Sequence, residues 1–371
     1  MLTAPDNSPP SASVSHFPGG PGFEEILKHV SPEEIPASSD LLSADELEGS
    51  LGATPGYDLV AVGDIMLGGR AEEPIATFGP DYCFHAVRPI LRRSAVVLGN
   101  LEGPLAPDEL KQPRNHSYAV KPERAGALAR AGISVVTLAN NHLMDCGREG
   151  VLRTIEAVER AGVAVVGAGA AERLAHRPVV RSAGGRRLGI LGYYWNRRCA
   201  AGPNLPGGAI DTPDRLEADI RGLRRLADRV IVTFHWGIPY EREPLAEDRA
   251  KARFAVDCGA DLVIGHHPHW IQPFEIHRGR PIFYSVGNFA FGSGNSRAEG
   301  LLLGARFGEG DGIELEVFPL YVKNRDPRVH YQPKALRGRG AERTLRFLSG
   351  LSGPHGKELR LEEGKGRIRL R

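Results

Sequence analysis

Apolar runs alternate with amphipathic segments along most of the 371-residue chain. Short apolar runs are typical of strands, and apolar residues spaced three to four apart are typical of helices. The predicted strands lie at 58–65, 94–98, 134–139, 163–166, 230–234 and 262–264, and the predicted helices at 23–30, 43–51, 122–131, 148–161, 213–227, 245–258 and 341–351. A hairpin is predicted at 178–194, and consecutive strands at 274–276, 281–286, 301–307 and 313–321. Strand–helix alternation followed by an antiparallel set predicts an α/β fold with two packed sheets and helices outside.

The charge pattern divides the chain into three segments. Residues 1–50 contain nine acidic residues and one basic residue, and the part from Arg325 onward contains thirteen basic and five acidic residues. We therefore predict an acidic, partly disordered N-terminal arm at 1–56, a single domain at 57–323 and a basic C-terminal extension at 324–371. We also expect the acidic arm to fold back on the basic segment or over the functional site.

Composition excludes several classes of protein. Hydrophobic residues make up 41% of the chain and charged residues 25%, which is typical of a soluble globular protein. No apolar run approaches the roughly 18 residues that span a bilayer, and the N-terminus lacks the pattern of a secretory signal, so we expect a cytoplasmic protein without a membrane anchor. Four scattered cysteines indicate reduced thiols. There is no phosphate-binding P-loop, dinucleotide fingerprint or nucleophile elbow, which argues against an ATP-dependent ligase acting alone.

Five polar clusters each follow a predicted strand. They are Gly63-Asp64-Ile65-Met66, Gly99-Asn100-Leu101-Glu102-Gly103, Ala139-Asn140-Asn141-His142 with Asp145, Phe234-His235-Trp236, and Gly265-His266-His267-Pro268-His269-Trp270. The carboxyl ends of strands are where an α/β sheet presents its chemistry, so we expect these clusters to converge. Taken singly, each cluster is also compatible with a structural role, such as a capping Asp, a polar turn, a core histidine or a histidine-rich loop without an ion.

A mixed set of oxygen and nitrogen ligands is the chemistry that these clusters offer. The predicted metal ligands are Asp64, Glu102, Asn141, His235, His267 and His269. Such a set suits Mn²⁺, Fe or Zn²⁺, and Glu102 is the candidate to bridge two ions about 3.5–4 Å apart. Gly63 is expected to let the backbone pass close to an ion, and Pro268 to hold His267 in an extended conformation.

The remaining polar residues have predicted roles around the metal. We expect His142, together with Asp145, to act in catalysis, with His142 donating a proton to the leaving group. The predicted substrate-binding residues are Asn100, Asn140, Trp236 and Asn288. Asn288 ends a later strand and is expected to point into the same crevice.

The order of these motifs resembles one known family. The motifs are GDIMLGG, GNLEGPL, ANNHLMDCG, HWG, GHHPHW and YSVGNF, between about Asp58 and Val322. They are similar to the CapA, or poly-γ-glutamate capsule synthesis, family, a branch of the calcineurin-like metallophosphoesterase superfamily. The resemblance implies a four-layer αββα sandwich with metal ions at the sheet edge.

The same resemblance implies an asymmetric pair of metal positions. Met66 stands where the superfamily has a histidine, so the first position would retain only three ligands, Asp64, Glu102 and His269. The second position would be complete, with the ligands Glu102, Asn141, His235 and His267. We therefore predict one tightly bound divalent ion, Mn, Zn or Fe, with a weaker second.

These residues favour a metal-dependent hydrolase or transferase linked to poly-γ-glutamate, to another capsule-type polymer or to peptide metabolism. The expected partners are an anionic polymer, a peptide or a phosphoester as substrate, together with a synthetase, and no nucleic acid. The alternative is a non-catalytic accessory protein that binds an anionic polymer or a synthetase through its basic C-terminal segment.

Overall fold

The computed structural model describes residues 35–52, 56–113, 117–294 and 299–371. Its α-helices are α1 (Ala44–Leu51), α2 (Glu72–Phe78), α3 (Arg88–Arg92), α4 (Ala125–Ala131), α5 (Gly147–Arg160), α6 (Glu172–Ala175), α7 (Pro213–Arg224), α8 (Ala246–Asp257) and α9 (Gly338–Leu351). Its strands are β1 (Tyr57–Met66), β2 (Ser94–Leu101), β3 (Val135–Thr137), β4 (Ala164–Val166), β5 (Ala168–Gly169), β6 (Val179–Ala183), β7 (Arg186–Tyr194), β8 (Gly207–Gly208), β9 (Arg229–His235), β10 (Leu262–His266), β11 (Phe274–His277), β12 (Arg280–Phe283), β13 (Asn288–Phe291), β14 (Glu299–Phe307), β15 (Ile313–Tyr321), β16 (Lys334–Ala335), β17 (Arg360–Glu362) and β18 (Lys365–Leu370).

Most of these strands form two large sheets. The first has the order β17-β18-β15-β14-β1-β2-β3-β4, with β13 also paired to β1 and β16 to β15. Its half from β1 to β4 is parallel, whereas β14, β15, β18 and β17 continue it as an antiparallel set. The second sheet has the order β11-β12-β10-β9-β7-β6, with antiparallel edge strands around a parallel centre.

Alternation of side chains along the strands creates three apolar layers. In β1, Leu59 faces a core shared with Ile190 and Ile264 of the second sheet, whereas Val60 faces the opposite core, under α5 and the other helices of that side. The outer face of the second sheet is covered by α7 and α8, which contribute Ile220 and Ala252 to a third core. The order helix, sheet, sheet, helix confirms the predicted four-layer αββα sandwich.

The C-terminal segment belongs to this sandwich. Strand β18 pairs with β15, and Leu345 and Leu348 of α9 lie in the core between the sheets. The expectation that residues 324–371 form an extension outside the domain is therefore corrected. The basic side chains there have partners within the sheet, because Lys365 and Arg367 form ion pairs with the buried Glu316.

Residues 36–51 pack against the C-terminal segment. Ser43 and Glu46 form the capping box at the start of α1. The carboxylate of Asp40 accepts a hydrogen bond of 3.1 Å from the backbone N–H of Gly340, and Glu46 forms an ion pair of 2.8 Å with Arg337. Asp40 and Glu46 thus lie on the basic segment, whereas for residues 1–34 the folding back of the acidic arm stays a prediction. The predicted helix at 23–30 lies outside the described residues.

Several short or charged elements of this fold escape the hydrophobic pattern, among them α2, α3, β13 and β18. The first three are short, and β18 is charged at alternate positions because its outward face pairs with acidic residues of β15. Within the described parts of the chain, no helix combines the length and apolar character needed to cross a bilayer.

Candidate metal centre

The carboxyl ends of β1 and β2 from the first sheet, and of β9 and β10 from the second, meet at one edge of the sandwich. The strand register places Asp64 opposite Asn100, and His235 opposite His266. Nδ2 of Asn100 lies 2.8 Å from Oδ1 of Asp64 and 3.3 Å from Nδ1 of His235, so the two sheets touch here. The fold therefore brings the polar clusters together, as predicted.

Glu102 carries the oxygen at the middle of the cluster. Its Oε1 is buried and has no hydrogen-bond partner. The Nε2 atoms of His235, His142 and His269 lie 3.7, 3.8 and 3.9 Å from this oxygen, which is too far for hydrogen bonds. Ligand atoms about 2.0–2.2 Å from a shared ion lie roughly 3–4 Å apart. The spacing of His235 and His269 around Glu102 is thus the spacing of metal ligands, with His142 next to them. A buried carboxylate oxygen without a partner is costly unless an ion binds it.

Asp64 presents a second buried oxygen. Its Oδ1 accepts the hydrogen bond from Asn100, and Nδ1 of His266 lies 3.2 Å away without hydrogen-bond geometry. Its Oδ2 has no hydrogen-bond partner and lies 3.2 Å from Nδ1 of His269. One carboxylate oxygen is therefore held by the protein, and the other is available as a ligand.

The histidine-rich loop after β10 has a strained backbone. His267 has a φ of 99° and His269 a φ of 58°, in the left-handed region that non-glycine residues rarely adopt. Such conformations cost on the order of 1–3 kcal/mol each and cluster at functional sites. The prediction that Pro268 holds His267 in an extended conformation is wrong, since its φ is positive. The loop instead places the His267 ring 4.6 Å from that of His235, with Nδ1 buried and unpartnered.

The predicted ligands lie in two groups that share Glu102. In each group the candidate ligand atoms lie within 4.8 Å of one another: Asp64, Glu102 and His269 form one, and Glu102, His235 and His267 form the other. Oδ1 of Asn141 lies 2.8 Å from Nε2 of His235 and so adjoins the second group. The unpartnered oxygens and nitrogen of these groups fit a divalent ion such as Mn²⁺, Fe²⁺ or Zn²⁺. Metal binding itself stays a prediction.

Electrostatics separate the two carboxyl groups. Burial, reinforced by the nearby charge of Asp64, raises the pKa of Glu102 well above its usual range. Burial also opposes ionisation of Asp64, but the adjacent imidazoles of His266 and His269 outweigh it and hold the pKa of Asp64 well below its usual range. A buried carboxylate that resists ionisation becomes stable as an anion when a cation neutralises it.

The imidazoles of the second group are held neutral. Burial and the neighbouring His269 lower the pKa of His267 to about 3, and burial together with His267 lowers the pKa of His235 well below its usual range. Only the neutral imidazole has the lone pair that binds a metal, so these rings need not lose a proton first.

His142 and Asp145 form a dyad at the rim of the cluster. Nδ1 of His142 donates a hydrogen bond of 2.7 Å to Oδ2 of Asp145, which also accepts one of 2.8 Å from the backbone N–H of Tyr118. With its Nδ1 proton committed, His142 directs Nε2 toward Glu102. The side chain is 12% exposed, so a substrate can reach it. This geometry suits the predicted proton donor.

The four predicted substrate-binding residues are buried. Trp236 donates its indole N–H to the carbonyl of Tyr284 at 2.8 Å and stacks on Phe234 in the outer core, so its predicted contact with substrate is wrong. Asn288 accepts a hydrogen bond of 2.8 Å from Nδ1 of His269 and therefore orients a ligand. Asn100 and Asn140 are at most 1% exposed and lie beneath the ligands. For these residues too, a contact with substrate is corrected to a supporting position.

Gly63 and Met66 have structural roles that involve backbone contacts and not an ion. A Cβ at Gly63 would lie 2.0 Å from the carbonyl oxygen of Gly287, so glycine is needed where β1 passes the segment before β13. The predicted approach to an ion is corrected accordingly. The sulfur of Met66 accepts a hydrogen bond of 3.2 Å from the backbone N–H of Gly68. It faces the turn after β1 and contributes no ligand.

Comparison with known families accounts for this combination of motifs. The family model of the bacterial capsule synthesis protein PGA_cap matches residues 58–293, more than half of the chain. The chain belongs to the PGA_cap family. The matched range covers all of the predicted metal ligands, and it confirms the family resemblance seen in the sequence.

Curated relatives of this PGA_cap protein come from several bacteria. The capsule biosynthesis protein CapA of Bacillus anthracis is 34% identical over 281 residues, which cover 73% of this chain and 68% of that protein. The PGA biosynthesis protein CapA of Bacillus subtilis is 34% identical over 64% of this chain and 63% of that protein. A probable polyglutamine synthesis accessory protein of Mycobacterium tuberculosis is 33% identical, and the match spans about half of each chain, 52% and 54%.

Solved structures resemble the PGA_cap fold more distantly. The sulfate thiohydrolase SoxB of Thermus thermophilus has a TM-score of 0.45 at 16% identity, over 90% of this chain and 57% of that one. A putative 5'-nucleotidase of Staphylococcus aureus has a TM-score of 0.43 at 14% identity, over 76% and 52%. Both TM-scores lie below 0.5, so the assignment of the fold rests on the layer order described above.

Three residues of the PGA_cap centre had no assigned role in the sequence. His266 is buried beside Asp64 and has no hydrogen bond at either ring nitrogen. The ring of Tyr118 lies 4.5 Å from that of His142, and the ring of Tyr240, which is 42% exposed, lies 5.7 Å from that of His269. Both tyrosines lie in loops without apolar periodicity, so the hydrophobic pattern does not identify them. Tyr240 also has a positive φ of 65°, which cannot be read from the sequence.

Proposed function

We propose that this PGA_cap protein is a metal-dependent hydrolase or transferase that acts on an amide, peptide or phosphoester bond of an anionic polymer or its precursors. The observation that carries the proposal is the buried Oε1 of Glu102, which has no hydrogen bond and is surrounded by three imidazole Nε2 atoms at 3.7–3.9 Å. The names of the two Bacillus relatives, for capsule and PGA biosynthesis, support an anionic polymer as the substrate class.

The side chains divide the work in this proposal. Asp64, Glu102 and His269 would hold one ion, and Glu102, Asn141, His235 and His267 the other. A bound divalent ion supplies a Lewis acid that polarises the scissile bond and activates water. As the imidazolium, His142 would give its Nε2 proton to the leaving group, while its Nδ1–H remains hydrogen-bonded to Asp145 before and after the transfer. Burial of the ligands excludes bulk water and strengthens each charge interaction.

Turnover by metal-loaded protein tests this proposal. Phosphomonoester, phosphodiester and γ-glutamyl substrates are screened with Mn²⁺, Zn²⁺ or Fe²⁺, and the active pair is repeated with His267→Ala and with Asn141→Ala. We expect both variants to lose turnover and to keep the wild-type circular dichroism spectrum. The matched control is His277→Ala, because His277 contacts Asp257 on the surface, away from the ligands. Full turnover by both site variants would overturn the proposal.

The second candidate function is a non-catalytic accessory role with a synthetase partner. The name of the mycobacterial relative, a probable polyglutamine synthesis accessory protein, favours it. Binding of a polymer through the C-terminal segment is less favoured, because Lys365, Arg367 and Arg369 are engaged in ion pairs with glutamates of the same sheet. A protein that binds no divalent ion after purification and reloading would fit the accessory role and exclude the metal-dependent one.

A further inference from the structure

We propose that Asn100 and Asn140 form a buried amide pair that positions the carboxylates of the metal centre and so sets the affinity at the position formed by Asp64, Glu102 and His269. The two asparagines are 0% and 1% exposed, so they act through the ligands and not on the substrate. This inference rests on the metal binding in the proposed function and assigns it a pair of positioning residues.

Asn100 lies between the two carboxylates. Its Nδ2 donates a hydrogen bond of 2.8 Å to Oδ1 of Asp64 and lies 3.4 Å from Oε2 of Glu102. The same atom lies 3.3 Å from Nδ1 of His235, so its shortest contact is with the first metal position and its longer ones reach the second. In each carboxylate the contacted oxygen is therefore the one that faces the protein, while the other oxygen, Oδ2 of Asp64 and Oε1 of Glu102, has no hydrogen-bond partner. One amide group thus points both free oxygens toward the histidines.

Asn140 fixes the orientation of that amide. Oδ1 of Asn140 accepts a hydrogen bond of 3.1 Å from the backbone N–H of His142, and this donor identifies the atom as the oxygen. Nδ2 of Asn140 must then donate, and it does so to Oδ1 of Asn100 at 3.0 Å and to the carbonyl of Leu101 at 2.8 Å. With its oxygen engaged, Asn100 has only Nδ2 to turn toward Asp64. A chain of hydrogen bonds thus links the loop that carries His142 to the ligands.

A neutral donor is what this position requires. A carboxylate at position 100 would add a third negative charge beside Asp64 and Glu102, and a lysine or arginine would place a cation where an ion is to bind. An aliphatic side chain would leave Oδ1 of Asp64 buried without a donor. The amide of Asn100 satisfies the oxygen without changing the charge of the site.

The inference is tested by titrating the metal-free full-length protein with Mn²⁺. Binding is measured by calorimetry and by electron paramagnetic resonance. Changes to residues that orient metal ligands lower affinity about 10–100-fold. We expect Asn100→Ala to weaken the position that contains Asp64 by about that factor, to weaken the other position less, and to replace the signal of coupled Mn²⁺ pairs with that of isolated ions. Asn140→Ala, which leaves the direct donor in place, should weaken the same position by a smaller factor.

Asn324→Ala is the matched control, because Asn324 is also a buried asparagine and its amide donates to the carbonyls of Phe291 and Ser293, not to a ligand. It should keep the wild-type Mn²⁺ affinities even if its melting temperature falls. If the wild-type protein binds Mn²⁺ and folded Asn100→Ala and Asn140→Ala bind it with unchanged affinities, the positioning role is overturned and the proposed function stands. If the wild-type protein binds no divalent ion, the proposed function itself fails. Should Asn100→Ala not fold, Asn140→Ala decides alone.

Discussion

Replacing Glu102 with glutamine removes the charge that both ligand groups share. Glutamine has nearly the same volume as glutamate, so the change in packing is small, but its amide is a weak ligand for a divalent ion. Glu102 belongs to both groups, whereas Asp64, His235, His267 and His269 each belong to one. Its Oε1 lies near a histidine of each group, 3.7 Å from Nε2 of His235 and 3.9 Å from Nε2 of His269. The substitution is therefore expected to weaken both metal positions at once.

The size of the effect follows from the coupling between binding and stability. An ion at one hundred times its dissociation constant stabilises the folded protein by about 2.7 kcal/mol. For residues 36–371, which form one compact unit, an unfolding entropy of about 2.1 cal/mol/K per residue gives roughly 0.7 kcal/mol/K. Each saturated position should then raise the melting temperature of the wild-type protein by about 4 °C.

Glu102→Gln should lose this response and keep its stability without metal. Burial and Asp64 raise the pKa of Glu102, so in the metal-free fold this carboxyl group costs stability either as a buried charge or through its protonation. We expect the stripped variant to melt at or above the temperature of the stripped wild-type protein, and to shift by less than about 1 °C with Mn²⁺ or Zn²⁺.

Differential scanning calorimetry of stripped and reloaded protein measures both quantities. His142→Ala is the control, since His142 is not among the predicted ligands and should leave the metal-induced shift in place. A Glu102→Gln protein that still shows the full wild-type shift would refute the shared position of Oε1. If metal-free Glu102→Gln melts well below the metal-free wild-type protein, the claim that Glu102 destabilises the metal-free fold is refuted.

Three further predictions follow from the geometry of the described residues. His142→Ala should lower kcat on an identified substrate by about 10²–10⁴-fold with the Mn²⁺ affinity unchanged, and a loss of affinity would make His142 a ligand instead of a proton donor. Met66→His should not tighten the first metal position, because the side chain at 66 faces the turn at Gly68, and a tenfold gain in Mn²⁺ affinity would contradict this. Asp248→Asn should raise the free energy of unfolding by about 2–3 kcal/mol at pH 8, because burial raises the pKa of Asp248 to about 6, compared with about 3.9 for an exposed aspartate. Because the pKa of Asp248 is raised in the folded state, the wild-type protein loses stability as the pH rises through about 6. The difference in unfolding free energy between variant and wild type, measured by urea titration, should therefore vanish near pH 4.

The layers of the fold and the edge that carries the site follow from local patterns in the sequence. Continuous apolar runs such as 58–65 and 230–234 indicate strands. Apolar residues repeated about every 3.6 positions, as at 148–161 and 213–227, indicate helices. Once these elements alternate, polar clusters after the strands must lie at the carboxyl edge. Asp64, Glu102 and His235 could therefore be placed together before any contact was known.

The supporting side chains could not be assigned in the same way. Asn100 and Asn141 are both amides at or after the end of a strand, but only the complete burial of Asn100 and the partial burial of Asn141 distinguish a positioning residue from a ligand. Trp236 is next to His235 in the sequence, yet the alternation of side chains in an extended backbone sends it to the opposite face of the sheet. The pairing of β18 with β15 depends on contacts across some fifty residues, which a local pattern does not encode.

Metal stoichiometry is the most direct test of the whole account. The purified full-length protein is stripped of metal, titrated with Mn²⁺ and with Zn²⁺ by calorimetry, and analysed for metal content by mass spectrometry after reloading. We expect one tightly bound ion and a weaker second in the wild-type protein, and neither in Glu102→Gln. A folded wild-type protein that retains no ion, or binds ions identically in Glu102→Gln, would contradict the claim that these side chains form a metal centre.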